Sequence, residues 1–596
     1  MSTYSAPIRD IKFVINEVAG MNTVATLPGF EEATPDLVDA ILEEAGKFAS
    51  GVLAPINFSG DQEGCHWKNG AVTTPKGFKE AYHGFVENGW GGLSCEPEFG
   101  GQGLPGLLST AVREMWNASN MAFSLCPLLT QGAIHALMLC GSDEQKQTYL
   151  HKMVSGEWTG TMNLTEPNAG SDLAAVRTRA EPQADGSYKI TGQKIFITHG
   201  EHDMAENIIH LVLARTPTAP AGVKGISLFV VPKFLVNPDG SLGERNDAWC
   251  ASIEHKLGIH ASPTAVMVFG DHGGAIGSLV GEENRGLEYM FVMMNEARFA
   301  VGVEGLSISD RAYQQALAYA RDRIQGKAIG VKDNASVPII RHPDVRRMLL
   351  LMKSQTEAMR ALAYVVAAAL DHAHADPDAT LRAHNQAFAE LMIPIVKGWC
   401  TENAIEVTSL GLQIHGGMGF IEETGAAQHF RDARITAIYE GTTGIQALDL
   451  IGRKIVRDGG LTAKNLLIEM TTVAAELSAS ADLADIGKSL DLGIQHASHC
   501  VMHIVSQFKD QSAQVAAGSV PFLRLMGIVS GGWQMGRSAL IAAKRLEEGS
   551  GDANFYRAKI ATARFYAQQV LPTAAALEQI VIESGEMVMA YPEDQF

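Results

Sequence analysis

The sequence predicts a mostly α chain with a central antiparallel β-domain. Three observations point there. Apolar residues recur at three- and four-residue steps from about residue 36 to 158. From about 159 to 282 they give way to short runs rich in Val, Ile, Leu and Phe. Helical periodicity then returns and lasts to the end of the chain. Helices, sheet and helices in that order suggest two helical layers separated by a small sheet domain. With 596 residues the chain has room for about three to four hydrophobic cores.

Residues 1–35 form a leader in which Ile8, Ile11, Phe13, Val14 and Ile15 are apolar, with a Pro28-Gly29 break near its end. A helical domain over 36–158 starts at Pro35-Asp36, with Leu37, Ile41, Leu42 and Ala45 on the predicted inner face. The β-domain spans 159–282. Residues 189–191 and 194–198 read as two short strands about a Gly192-Gln193 turn, and 208–214 and 226–231 come next as strands. Asp185-Gly186 and Asp239-Gly240 supply turns between such runs. A second helical domain, 283–455, holds long periodic segments at 286–325, 342–374 and 379–412, one of them opened by Pro343-Asp344. The extension 456–596 is helical again, with Gly549-Ser550-Gly551-Asp552 as a hinge-like loop.

Bulk properties exclude several functions. A net charge of −19 disfavours non-specific binding to nucleic acid or anionic membrane, so no nucleic-acid partner is expected. A polyanionic ligand can still bind where arginines are placed for it. Seven cysteines without a Cys-x-x-Cys pair argue against a disulfide framework or a zinc site, so no metal is expected. They favour a reducing compartment, and a cytoplasmic location is expected. Residues 1–16 show no signal peptide, and no transmembrane segment is expected because no uncharged apolar run reaches 18 residues. The best candidate for peripheral membrane contact is 522–543, apolar around Gly531, Gly532 and Trp533. Arg524 and Arg537 interrupt it, and it reads first as a core helix pair.

Three segments hold the residues of chemical interest. Ile438-Tyr439-Glu440-Gly441-Thr442-Thr443-Gly444-Ile445-Gln446 places one carboxylate on a Gly-containing turn before an apolar helical run. Gly441 lets the backbone approach a ligand, and Thr442 or Thr443 can cap the helix. Leu164-Thr165-Glu166-Pro167-Asn168-Ala169-Gly170-Ser171-Asp172 is a turn. Gln413-Ile414-His415-Gly416-Gly417-Met418-Gly419-Phe420 reads as a helix end with glycine. His415 has no carboxylate partner in its own segment and reads as structural. No Gly-x-Gly-x-x-Gly stands between a strand and a helix, so a Rossmann cofactor site lacks support.

In this order and at these separations the three segments resemble the acyl-CoA dehydrogenases, over about residues 36–455. The leader and the extension resemble those of the longer bacterial members, a subgroup that includes fatty acyl-CoA and 3-methylmercaptopropionyl-CoA dehydrogenases. The resemblance implies a helical domain, a β-barrel-like domain and a four-helix domain, with FAD held between the last two. It places the cofactor against Met162, Leu164, Thr165, Gly170, Ser171, Phe196, Thr198, Arg323, Gln413, Gly417 and Thr442, some of them reaching from a neighbouring subunit. It places the CoA ester near Ser171, Arg298 and Gly441, and makes Glu440 the base.

The implied reaction is α,β-dehydrogenation of a saturated acyl-CoA to the trans-2-enoyl-CoA, as in fatty acid β-oxidation, with electrons passed to an electron-transfer flavoprotein. The alternative substrate is 3-methylmercaptopropionyl-CoA. An acyl-CoA oxidase and a nucleic-acid-associated flavoprotein of the same fold rank lower. A homodimer is expected, with the extension covering a surface that smaller members bury by tetramerising. Three positions depart from the family pattern. Gln325 stands where an aromatic residue commonly precedes the glycine after Arg323, Gly444 replaces a common Gln, and Ala297 fills the position where some members carry their catalytic Glu. Glu296, one step away, should point about 100° off that position on a helix.

Overall fold

Helices fill both ends of the chain and strands its middle in the computed structural model, which describes residues 4–330 and 335–596. The first three residues of the leader lie outside this description. Two compact units emerge. One combines 1–46, 105–118 and 301–596, and the other combines 47–104 and 119–300.

The second unit contains an eight-stranded sheet. Its strands are β1 (Trp158–Asn163), β2 (Arg179–Pro182), β3 (Tyr188–Thr198), β4 (Asn207–Ala214), β5 (Ser227–Pro232), β6 (Ala248–Ile253), β7 (Thr264–Phe269) and β8 (Ala275–Val280). They lie in the order β6-β7-β3-β8-β5-β4-β1, with β2 also on β3. Every pairing is antiparallel except β1 with β4, where Trp158 faces Asn207 and Asn163 faces Val212 in parallel register. Two strands intervene in sequence between that pair, which gives the chain length to cross over.

The expected Gly192-Gln193 turn is not one. Both residues lie inside the continuous strand β3. At Gly192 the strand changes partner, from β8 on its first half to β7 on its second. A Cβ at Gly192 would lie 2.5 Å from Thr178 Oγ1, so glycine here serves close packing. Strand β4 is buried throughout because both faces are covered. Ile209, Leu211 and Leu213 enter one core with Leu129, Leu137 and Met153. Val212 and Ala214 enter another with Ile190, Phe229 and Met267. That is the two-residue period of a strand.

In the first unit, helices Pro343–Ala375 and Ala379–His415 run close to their predicted bounds. Helix Pro35–Phe48 buries Val38, Leu42 and Ala45, and Leu37 is exposed, so the inner face is rotated from the predicted one. The 522–543 segment belongs to one continuous helix, Ser519–Glu547, and not to a helix pair. Its glycines do not break it because they make room for neighbours. A Cβ at Gly527 would meet Trp399 at 2.2 Å, and one at Gly532 would meet Leu571 at 2.7 Å.

Helix Gly106–Cys140 has the length and hydropathy of a membrane span, but 67% of its most apolar window is buried inside the protein, as in a core helix. It bends at Asn120, whose side chain accepts from the Phe123 N–H and donates to the Leu53 carbonyl.

Candidate active site

The Glu440 turn is built by its neighbours. Helix Ala426–Thr436 ends just before it, and the Thr443 N–H reaches back to the Ala437 carbonyl at 3.1 Å. Thr442 caps the next helix, Thr443–Asp449, accepting from the Ile445 N–H. Between the two helices Glu440 and Gly441 both adopt left-handed backbone, with φ of +56° and +87°. For Glu440 that conformation is costly, and it persists because the surroundings dictate it. Gln446 Nε2 donates to the Glu440 carbonyl at 3.0 Å, and Lys397 Nζ donates to the Gly441 carbonyl at 2.7 Å. The Thr443 hydroxyl donates to Glu402 at 2.6 Å. Glu440 itself is half-buried.

Lys397 and Gln446 were not singled out from the sequence. The signal for Lys397 is a lysine directly after the apolar run Ile393-Pro394-Ile395-Val396, fully buried in helix Ala379–His415. A fully buried lysine needs an acceptor, and here the acceptor is the carbonyl of the Glu440 turn.

At the end of the same helix Gly416 has φ +61°, and a Cβ at Gly416 or Gly417 would meet open space. Gln413, Gly416, Gly417 and Phe420 are exposed. His415 is structural as expected from the sequence. Its ring stacks on Tyr319 at 4.4 Å, its Nδ1 lies 2.7 Å from the Gly411 carbonyl, and burial lowers its pKa. Arg323 is exposed just beyond the end of helix Gly286–Asp322, with Nη2 3.4 Å from Gln325 Oε1.

The second unit contains the other candidate residues. In the 165–171 loop Glu166 and Ala169 exchange both backbone hydrogen bonds, which closes a tight turn. Glu166 is buried and accepts from Lys194 Nζ at 2.8 Å, from the Thr178 N–H and hydroxyl, and from the Arg177 N–H. Burial would raise its pKa, but Lys194 and these donors together hold it below the ordinary carboxylate value. Lys194 also donates to the Leu164 carbonyl, and the Ile195 N–H to the Thr165 carbonyl. The loop is thereby fastened to β3 beside Phe196 and Thr198. Phe196 has φ +60° and is 58% exposed, an unusual state for a large apolar residue on a strand. Thr165, Thr198 and Met162 are half-buried, Leu164 is buried, and Gly170 and Ser171 are exposed, with open space where a Gly170 Cβ would stand.

Arg298 is buried on helix Gly286–Asp322, near Asn295 Oδ1 at 3.5 Å and the Phe291 ring at 6.0 Å. Glu296 turns to His135 at 3.2 Å, away from the position of buried Ala297, as its helical offset predicts.

Cys126, His199 and His202 cluster in the core with ligand atoms within 4.8 Å of one another. His202 Nδ1 accepts from the Met204 N–H and its Nε2 bonds Thr159 at 3.0 Å. Both nitrogens of that ring are therefore committed within the protein.

An exposed aromatic ring on a strand, beside an anchored loop of open backbone, fits a flat aromatic cofactor such as the isoalloxazine of FAD. Residues of the loop and of β3 would hold it.

Comparison with known proteins agrees with this architecture. Residues 37–157, 161–272 and 284–456 match the N-terminal, middle and C-terminal domains of acyl-CoA dehydrogenase, and 466–592 match a domain described as acetyl-CoA dehydrogenase C-terminal like. The chain is 52% identical over 588 residues to 3-methylmercaptopropionyl-CoA dehydrogenase of Ruegeria pomeroyi, covering 98% of this chain and 99% of that one. It is 35% identical over 618 residues to a broad-specificity linear acyl-CoA dehydrogenase of Mycobacterium tuberculosis, covering 100% of both. Its fold matches that of an acyl-CoA dehydrogenase complexed with FAD from Bacillus anthracis, with a TM-score of 0.74 at 21% identity, over 97% of this chain and 93% of that one. The chain belongs to the acyl-CoA dehydrogenase family, in its long subgroup of about 600 residues, and is an FAD-dependent acyl-CoA dehydrogenase.

Proposed function

We propose that the enzyme dehydrogenates a short thioether acyl-CoA, 3-methylmercaptopropionyl-CoA, with Glu440 as the base. The observation that supports this acyl group is the 52% identity, held over essentially the whole of both chains, to the Ruegeria pomeroyi enzyme of that name. The broad-specificity linear acyl-CoA enzyme stands well below it at 35%. General fatty acyl-CoA dehydrogenation is therefore the second reading.

Glu440 supplies the carboxylate in a turn that packing holds in a strained conformation, which costs no further ordering when substrate arrives. As the α C–H bond breaks, its proton passes to a Glu440 oxygen, and the negative charge moves onto the thioester. Lys397 and Gln446 clamp the carbonyls of Gly441 and Glu440, so the carboxylate keeps its position while its charge is lost. When bound, FAD supplies the acceptor for the β-hydride, a role no side chain can fill. Arg298 orients the CoA ester, and Phe196, Thr165 and Thr198 pack the cofactor. Arg323, Gln413 and Gly417 complete its site from a second copy in a homodimer. An electron-transfer flavoprotein takes up the electrons.

Anaerobic mixing of the yellow holoenzyme with butyryl-, octanoyl-, palmitoyl- and 3-methylmercaptopropionyl-CoA tests the substrate. Fastest bleaching with the thioether ester is expected, and equal or faster bleaching with octanoyl-CoA would overturn the choice. Glu440→Gln should keep bound FAD and lose substrate bleaching by more than about a hundredfold. Bleaching at the wild-type rate would remove Glu440 from the mechanism.

A further inference from the structure

A second carboxyl group lies beside the Glu440 turn and takes no part in the transfer of proton or hydride. Glu304 sits inside helix Gly286–Asp322 with no exposed surface. Its Oε2 accepts from the hydroxyl of Tyr439, the residue immediately before Glu440. Its Oε1 is buried with no hydrogen-bond partner, and among the described residues Glu304 forms no ion pair. An ionised carboxylate held there by a single hydrogen bond would be costly.

The placement is specific. Gly302 and Gly305 flank Glu304 and bring its helix onto Ala379–His415. A Cβ at Gly302 would lie 2.6 Å from Val396 Cγ1, and one at Gly305 would lie 2.7 Å from the Cys400 carbonyl oxygen. Lys397, between those two contacts, is the residue that clamps Gly441. The same close approach therefore seats both Lys397 and Glu304 against the 437–443 turn, one at each side of Glu440 in sequence.

We propose that Glu304 is a positioning residue for this reaction. Through Tyr439 it fixes the Glu440 turn, and its burial with one unpartnered oxygen favours the neutral form, so that no second charge stands beside Glu440. The inference rests on the reading of Glu440 as the base.

The groups facing Glu304 are Tyr439 and Glu440 on the turn, Lys397 on the neighbouring helix and Arg113 on helix Gly106–Cys140; Asp432 faces Tyr439. Burial is the largest influence and raises the Glu304 pKa, and the Glu440 charge adds to it. The Tyr439 bond, Lys397 and Arg113 act in the opposite direction, and the balance lies at about 8. Near neutral pH Glu304 is therefore protonated. A neutral Glu304 avoids the repulsion that a buried second negative charge would exert on Glu440. Neutral Glu304 keeps a hydrogen-bond acceptor for Tyr439 without placing a second charge against the developing enolate.

The test uses the FAD-loaded enzyme. Flavin bleaching at saturating acyl-CoA, measured against pH, should show two coupled titrations in the wild type, and Glu304→Gln should lose the upper one. Glu304→Ala leaves the Tyr439 hydroxyl without an acceptor. It should slow the maximal bleaching rate about tenfold with little change in KM, as expected for loss of about one hydrogen bond's worth of transition-state positioning. Glu304→Gln, which preserves an acceptor, should restore most of that rate. Should Glu304→Ala fail to fold, Glu304→Gln and Tyr439→Phe still decide the matter.

Infrared difference spectra at neutral pH provide a readout independent of turnover. One protonated-carboxyl band, distinct from that of buried Asp371, should persist in Glu440→Gln and vanish in Glu304→Gln. An unchanged pH profile in Glu304→Gln, or survival of the band in that variant, would overturn the proposal even where Glu440→Gln abolishes bleaching. Bleaching by Glu440→Gln would instead overturn the assignment of the base.

Discussion

At the scale of single residues, the Glu440 turn depends on left-handed backbone at two successive positions, Glu440 and Gly441. Gly441 has φ +87°, and a Cβ there would stand 2.8 Å from Gln446 Nε2, the donor that holds the Glu440 carbonyl. Gly441→Ala must bear a left-handed alanine, worth about 1–2 kcal/mol, and displace Gln446. The expected result is a roughly tenfold slower bleaching rate with FAD content unchanged. Single-turnover kinetics and flavin-to-protein ratio check it. The sequence showed the glycine and its carboxylate neighbour. It did not show which donors hold the two carbonyls: Gln446 bonds from the helix that follows the turn, and Lys397 reaches it only once helix Ala379–His415 packs against it.

Elements set the geometry of the cofactor face. The 165–171 loop is tied to β3 partly by a buried ion pair, Glu166 with Lys194, of which Lys194 has no exposed side-chain surface. Lys194→Met removes the cation and leaves Glu166 buried without it, which costs about 3–5 kcal/mol of unfolding free energy. Urea denaturation should show that loss, and the variant should release FAD more readily on gel filtration, since one of the loop's ties to β3 is gone. Retention of wild-type stability would show that Glu166 is held by Thr178 and Arg177 alone. The β-region itself was legible as alternating and continuous apolar runs, but the course of β3 was not. Gly192-Gln193 carries the signature of a turn, and only contact with Thr178 and the exchange of β8 for β7 makes it strand. The parallel β1–β4 pair was equally invisible, since pairing direction comes from connection and not from composition.

Across the larger unit, charge ties distant parts of the chain together. Arg360 meets Glu114, Asp310 and Asp10, while Lys559 meets Asp10 and Glu357. Asp10 lies in the leader and Lys559 in the extension, so one carboxylate links both to helix Pro343–Ala375. Burial alone would raise the Asp10 pKa, but Lys559 and Arg360 overcome it and hold Asp10 below its ordinary value of 3.8. A depressed carboxylate contributes stability that is present above its unfolded value and lost as pH falls through the folded one. Stability from Asp10 should therefore be complete above about pH 4 and fail only in acid. Asp10→Asn should lower unfolding free energy at neutral pH by about 3 kcal/mol and flatten the acid limb. Denaturation at a series of pH values, with limited proteolysis of the leader, measures both effects.

The sequence by itself determined the family, the order of helical and β segments, and the residues of the three motifs, because periodicity and Gly-containing turns are local properties of the chain. The Thr442 cap is set by neighbours within a few positions. Tertiary structure alone decided which face of helix Pro35–Phe48 is buried, that Ser519–Glu547 runs unbroken past its glycines, and that Glu304 and Lys397 converge on one turn. Those outcomes depend on contacts between residues tens to hundreds of positions apart, and burial gives them their energy. A lysine or glutamate inside an apolar helical run marks such a contact in the sequence without naming its partner.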